Sequence, residues 1–310
     1  MVLQWFRLGL MSAVLSVGVL IAAQEGGHGG HGGHGEHEHD HGEMMMDAMP
    51  TLGPEVTIRF VAMVGDRPAA CGIIYRGLGT EASPISLNDF RFYVSNVRMV
   101  TADGEEVPVE LVQDGMWQYN DVALLDFEDG TGLCSGSGTP EMNDKVVGTI
   151  PTGEYAALRF DLGVPFELNH LDTATAPAPL NLPAMWWNWR AGYKFVRIDM
   201  QTPTSAAPQY FIHLGSTGCV SDSGSTPPSE PCANPNVATV ELMGFNPLEN
   251  FVVADLAALL MSVNLNENTP QPPGCMSGVN DPDCVGLFPS FGLDLETGLP
   301  VEGQRFFRAQ

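Results

Sequence analysis

From Val56 onward, short runs of alternating or continuous apolar residues are broken by Gly, Pro, Asn and Asp. Successive side chains of a strand point to opposite faces, so period-two runs bounded by turn formers read as strands. Runs of this kind cover 56–64, 90–100, 107–112, 123–127, 145–150, 155–162, 195–200, 210–214 and 238–243. One stretch changes period: Asp255, a residue suited to cap a helix N-terminus, precedes Leu256-Ala-Ala-Leu-Leu-Met261 and predicts a short helix over 255–263. Strands without alternating helices predict an all-β, β-sandwich-like domain with long loops and one short helix. The Pro-rich stretches 202–208 and 227–235 are long loops, and neither an internal repeat nor a second folded domain is visible.

Two segments lie outside this pattern. Residues 1–23 carry one early positive charge, Arg7, then an apolar run from Leu8 to Ala22 and the small pair Ala22-Ala23. That is the form of a secretory signal peptide. A membrane anchor would need about 20 apolar residues with stronger flanking charge, and no cysteine follows the run to carry a lipid. Residues 24–52 are dominated by Gly, His, Glu and Met without apolar periodicity, and read as a disordered linker. Within it His28, His31 and His34 recur every third residue, and His37, His39 and His41 alternate with acids. Imidazole suits copper, zinc and nickel, and the thioethers of Met44, Met45, Met46 and Met49 suit Cu(I), so the segment reads as an accessory metal tail. Its plain alternative is a solvated linker. The folded domain is then 53–310.

With 310 residues, 44% of them hydrophobic, the chain can bury a substantial core. Thirteen Lys and Arg stand against 37 Asp and Glu, a formal net charge of −24 that repels phosphate backbones and anionic lipid. Nucleic acid is thereby disfavoured as a partner, and no later segment resembles a membrane span. The acidity fits an extracytoplasmic protein and a basic docking partner, although most surface carboxylates only solvate a face. The six cysteines all follow the signal, and an even number in an exported chain favours disulfides. Cys219 with Cys232 and Cys275 with Cys284 each close a short polar loop, which leaves Cys71 for Cys134. No CxxC spacing points to a thiolate zinc site.

Chemistry concentrates in Met185-Trp-Trp-Asn-Trp-Arg-Ala-Gly-Tyr-Lys-Phe195, which holds three of the five tryptophans. So much aromatic surface belongs in a core or around a site. The folded region has two histidines, His170 in a loop and His213 at a strand end. A lone histidine is usually structural, but two imidazoles with a soft or aromatic-derived donor suit copper. GxSxG, HExxH, Walker loops and a helix-opening GxGxxG are missing. Asp126 and Glu128 share a face of a predicted strand, a geometry open to calcium or acid chemistry, and read more simply as solvated strand-end carboxylates.

Taken in order, several motifs resemble the MbnP-like family, the metallo-mystery-pair four-Cys-motif proteins. They are Phe92-Tyr-Val-Ser-Asn-Val-Arg98, Leu124-Leu-Asp-Phe-Glu-Asp-Gly130 before Cys134, Leu162-Gly-Val-Pro-Phe166 with Asn169-His170, Pro179-Leu-Asn181, Met185 to Phe195, His213-Leu-Gly-Ser-Thr-Gly-Cys219, and Gly274-Cys275 with Cys284. The resemblance implies a periplasmic copper-binding protein in copper homeostasis, paired with a dihaem, MauG-like cytochrome c peroxidase. That partner would oxidise a tryptophan, Trp187 or Trp189, to kynurenine near a copper ion held by His170 and His213. The chain would be a protein substrate and not an enzyme. A copper-dependent oxidase or oxygenase, and a structural or adhesive secreted sandwich, are the competing expectations.

Overall fold

A computed structural model describes residues 53–136, 138–203, 208–267 and 272–310. The expected signal peptide and the His- and Met-rich segment lie outside the described residues. Strands dominate, as the alternation predicts. The organising element is Ser83–Val100, an 18-residue strand, about three times the usual length. Along one edge it pairs with Val122–Asp126 through residues 91–95. Along the other it pairs first with Val196–Gln201, through residues 86–92, and then with Ala157–Leu162, through residues 94–100. Tyr93 sits at this change of partner, its N–H donating to Phe195 O and its carbonyl accepting from Gly163 N. Gln209–Leu214 and Gly274–Cys275 extend the sheet beyond Val196–Gln201, and Ala238–Met243 extends it beyond Ala157–Leu162.

The second sheet is built on Glu55–Val64, flanked by Lys145–Thr149 antiparallel and Val252–Asp255 parallel. Phe307–Ala309 closes one side and Glu110–Leu111 the other. The two sheets face each other across an aromatic core. Phe60 of the smaller sheet meets Phe92 and Phe160 of the larger with ring centroids 6.1 and 5.7 Å apart, and Phe306 and Phe307 fill the gap. Fully burying each such ring contributes roughly 1.5–3 kcal/mol.

Three details depart from the sequence reading. The run 107–112 is two short strands, Glu106–Pro108 on the larger sheet and Glu110–Leu111 on the smaller, so the chain changes sheets at Val109. The expected helix 255–263 forms one turn, Leu256–Leu259, capped by Asp255 Oδ1 accepting from the N–H groups of Ala257 and Ala258. Two more single turns, Phe166–Asn169 and Phe288–Phe291, join it, so the described residues hold three short α-helices. Each is too brief for an apolar periodicity to show in sequence.

Disulfides join Cys71 to Cys134, Cys219 to Cys232 and Cys275 to Cys284, the pairing favoured from loop lengths. The first closes a 63-residue separation and restricts the unfolded chain by about 4 kcal/mol in the chain-entropy account. Three cystines fit folding in an oxidising, extracytoplasmic compartment. Among the described residues, no helix is long and apolar enough to cross a membrane.

Candidate metal centre

Phe90 and Phe92 point into the aromatic core, so alternation sends Asp89, Arg91 and Tyr93 to the opposite face of the long strand. On that face the strand registers align ionisable residues across the sheet. Asp126 lies opposite Arg91, Arg91 opposite Arg197, and Arg197 opposite His213. One step along, Asp89 lies opposite Asp199. All six are buried or nearly so: Arg91 is 1% and Asp89 0% exposed. Charges so placed must pair. Arg91 grips Asp89 through Nε, at 2.8 Å, and Nη2, and reaches Glu128 Oε1 at 3.5 Å. Arg197 bonds Asp199 Oδ2 through Nε and Nη2 at 2.9 and 2.7 Å, and approaches Asp89 Oδ2 at 3.2 Å.

His213 ends this ribbon. Its Nε2 lies 2.7 Å from Asp199 Oδ1, and its ring stacks on Phe211 with centroids 5.5 Å apart. Burial would raise the Asp199 pKa, but His213 and Arg197 overcome it and hold the carboxyl at about 2. Burial lowers the pKa of His213 against the pull of Asp199. Burial thus disfavours the charged ring, and because the carboxylate can only accept, the neutral imidazole donates Nε2–H to it and carries its lone pair on Nδ1. Among the described residues Nδ1 has no hydrogen-bond partner. A carboxylate behind a histidine, fixing tautomer and ring, is the usual support of a metal-ligating imidazole. Ser277 steadies the same strand end, its Oγ donating to His213 O and accepting from Gly215 N.

The tryptophan run covers this face. Trp186–Asn188 pairs with Gly192–Tyr193 as a two-stranded hairpin, and its three indoles are half-buried. Trp187 lies over His213, ring centroids 6.4 Å apart at 58°. It fits there because residue 215 is glycine: a Cβ would stand 2.4 Å from Trp187 Cζ3 and 2.7 Å from Tyr193 O. The cover is tied down by polar bonds. Lys194 Nζ and Arg197 Nη1 both donate to Ala184 O, at 2.8 and 3.1 Å, and Tyr93 Oη donates to Pro179 O. Burial first, then the neighbouring Arg197, lower the Lys194 pKa to about 8.

His170 occupies a separate nook at the end of the helical turn Phe166–Asn169. Nδ1 lies 3.0 Å from Trp189 O, and Nε2 lies 3.3 Å from Asn169 Nδ2 and 3.7 Å from Cys232 Sγ. Burial lowers its pKa, opposed by the bond to Trp189. Asn169 holds the nook together, accepting from Tyr193 N and facing Ser216 Oγ. It also explains Gly192, where a Cβ would lie 2.5 Å from both Asn169 O and Oδ1.

Of the residues singled out in sequence, the structure brings Trp187 to His213 by its ring. Trp189 meets His170 only through its main-chain carbonyl, while its indole packs edge-on against Trp186 at 4.8 Å. No hydrogen bond or ring contact joins His170 to His213 among the described residues. Asp126 and Glu128, expected in solvent, are 1% and 0% exposed, because Arg91 lies beneath them and Glu128 accepts from Gly130 N and Thr139 N. Burial raises the pKa of Asp126 to about 8. Sequence reasoning missed Asp199, Arg197 and Asn169. Their signal was present: Asp89/Arg91 and Arg197/Asp199 put opposite charges two apart inside apolar strands, where they share a face.

Comparison with known proteins identifies the family. The MbnP family model matches residues 53–277. Among solved structures, MbnP from Methylosinus trichosporium superposes with a TM-score of 0.74 at 31% identity, covering 83% of this chain and 98% of that one. Comparison with curated proteins returns no significant match. With the match spanning the charged ribbon, the tryptophan hairpin and both histidines, the chain belongs to the MbnP family.

Proposed function

We propose that this chain is a periplasmic copper-handling protein whose centre is His213 beside Trp187, and that it is a protein substrate of a dihaem MauG-like peroxidase rather than a catalyst. The supporting observation is the pairing of a carboxylate-backed, neutral imidazole with an indole lying over it. Asp199 fixes the tautomer that leaves Nδ1 able to bind a metal. One imidazole is too small a donor set for copper, and indole adds only an N–H donor. Oxidation of Trp187 to kynurenine would replace the indole with an aniline amine and a ketone, so the modification itself creates a donor beside His213. Trp187 is favoured over Trp189 because the Trp189 ring packs against Trp186. In this reading the His- and Met-rich segment supplies accessory copper ligands.

The experiment is mass spectrometry of chain produced with and without the peroxidase, followed by copper titration. Fragmentation of the tryptic peptide ending at Arg190 should place kynurenine at residue 187 only in the co-produced sample. Chain carrying His213→Ala should lose its tightest copper, and His170→Ala should retain it. Unmodified tryptophan in both samples, or modification at Trp189, would overturn the assignment of Trp187.

A further inference from the structure

The Cys219–Cys232 disulfide differs from the other two in what lies beside it. Cys275 and Cys284 are 1% and 0% exposed within the aromatic core, and Asp281 beside them already accepts from Met276 N and Asp283 N. Cys134 is also fully buried, but its partner Cys71 is partly exposed and this pair too lies outside the core cluster; what it lacks among the described residues is a neighbouring histidine. Cys219 is partly exposed, and neither it nor Cys232 belongs to the core cluster. Cys232 Sγ stands 3.7 Å from His170 Nε2, and the ligand atoms of His170, Cys219 and Cys232 all lie within 4.8 Å of one another. We infer that this cluster is a second, redox-gated metal site, which takes a soft d10 ion, Cu(I), once the disulfide is reduced.

Geometry carries the inference. A small metal ion bound at about 2.3 Å from sulfur and 2.0 Å from nitrogen sets S···N at about 3.5–3.7 Å and S···S at about 3.8–4.0 Å. The first spacing already exists between Cys232 and His170. The two sulfurs must part, with Cys219, already within 4.8 Å of His170, taking up the same spacing. Chain on both sides of the pair is clamped, with Thr217 and Asn234 exchanging both backbone hydrogen bonds, at 2.9 and 3.0 Å, so the cysteines stay adjacent after reduction. The intervening loop, from the 83%-exposed Val220 to residue 231, lies largely in solvent and absorbs the movement. His170 is pre-oriented: Nδ1–H donates to Trp189 O, which leaves the lone pair on Nε2 facing the sulfurs. Binding displaces one contact, from Asn169 Nδ2, which keeps Ser216 Oγ as a partner.

The chemistry balances with a dithiol as reductant. A thiolate of the dithiol attacks Cys219 Sγ, the S–S bond breaks, and Cys232 leaves as a thiolate beside His170. The dithiol's second sulfur then closes its own disulfide and releases Cys219. Two electrons pass from dithiol to cystine, and the two protein thiols release their protons when Cu(I) binds. Thiolates are the ligands that select Cu(I). The site is independent of the His213 centre, so either can fail alone.

The test uses the full chain, treated with dithiothreitol, desalted without oxygen and titrated with Cu(I) against bicinchoninate. Alkylation and mass spectrometry should find Cys219 and Cys232 as the first free thiols. Reduced chain should take up one more tight Cu(I) than oxidised chain, with X-ray absorption reporting two sulfurs and one nitrogen. The Cys219→Ser/Cys232→Ser variant, whose disulfide lies outside the core, should lose that extra ion while keeping its far-ultraviolet circular dichroism. His170→Ala should weaken the extra ion by roughly tenfold or more. No additional Cu(I), unchanged affinity in His170→Ala, or earlier opening of another disulfide would each overturn the inference.

Discussion

His170 and His213 are equally buried, each 8% exposed, and each donates one ring N–H to an acceptor that fixes its orientation. What fixes it differs. Asp199, an ionised carboxylate held by Arg197, backs His213 from within a continuous sheet, whereas the Trp189 carbonyl backs His170 from a hairpin at the end of a single helical turn. A carboxylate partner strengthens the imidazole as a donor and couples it to buried charges that cannot be left unpaired. A carbonyl partner fixes orientation alone. Equal burial therefore conceals unequal stakes: the His213 nook is rigid and costly to disturb, and the His170 nook can lose a bond and reorganise.

The largest effect should separate the nooks directly. Asp199→Ala leaves Arg197 and His213 facing a buried gap, and breaking such a pair costs about 3–5 kcal/mol. Asn169→Ala removes neutral hydrogen bonds in the other nook, worth about 1–3 kcal/mol. Urea denaturation should place Asp199→Ala well below Asn169→Ala in midpoint, and the reverse order would refute the comparison. A middling effect comes from Gly215→Ala. The added methyl would lie 2.4 Å from the Trp187 ring, so the indole or the strand end must shift, at a cost of about 1–3 kcal/mol. Trp187 would be driven from His213, and copper retention in modified chain should fall while the redox-gated binding at His170 stays unchanged.

How much of this is visible in sequence depends on what a residue's neighbours are. The strand Ala238–Met243 alternates buried and exposed perfectly, so its pattern announces it. The first third of Ser83–Val100 does not: Ser86, Asn88 and Asp89 look like a loop, yet Asp89 is fully buried because Arg91 and Arg197 neutralise it from its own and the adjacent strand. His213 was legible as a candidate through its strand-end position. The two-apart spacing of Arg197 and Asp199 marked a buried charge pair, but not that Asp199 reaches His213, because register across two strands joins those two and no short-range spacing records register. The choice between Trp187 and Trp189 needed Gly215, whose missing Cβ makes room for one ring only.

The smallest effect probes the far end of the ribbon. Asp126 lies opposite Arg91, yet Arg91 gives its strongest bonds to Asp89, so burial prevails and holds the Asp126 carboxyl protonated up to about pH 8. Its value in the unfolded chain is near 3.9. Between those values the folded chain binds the extra proton, so this residue makes stability fall as pH rises from about 4 to 8 and level off above. Asp126→Asn, which mimics the neutral acid at every pH, should remove that slope. The variant should gain on the parent by about 1.4 kcal/mol as pH rises from 5 to 6, read as a rising difference in urea midpoint. If the difference instead stays flat, or the variant loses ground as pH rises, Asp126 is ionised in the fold. The ribbon would then be charged from end to end, and His213 would owe its rigid setting to the whole row rather than to Asp199 and Arg197.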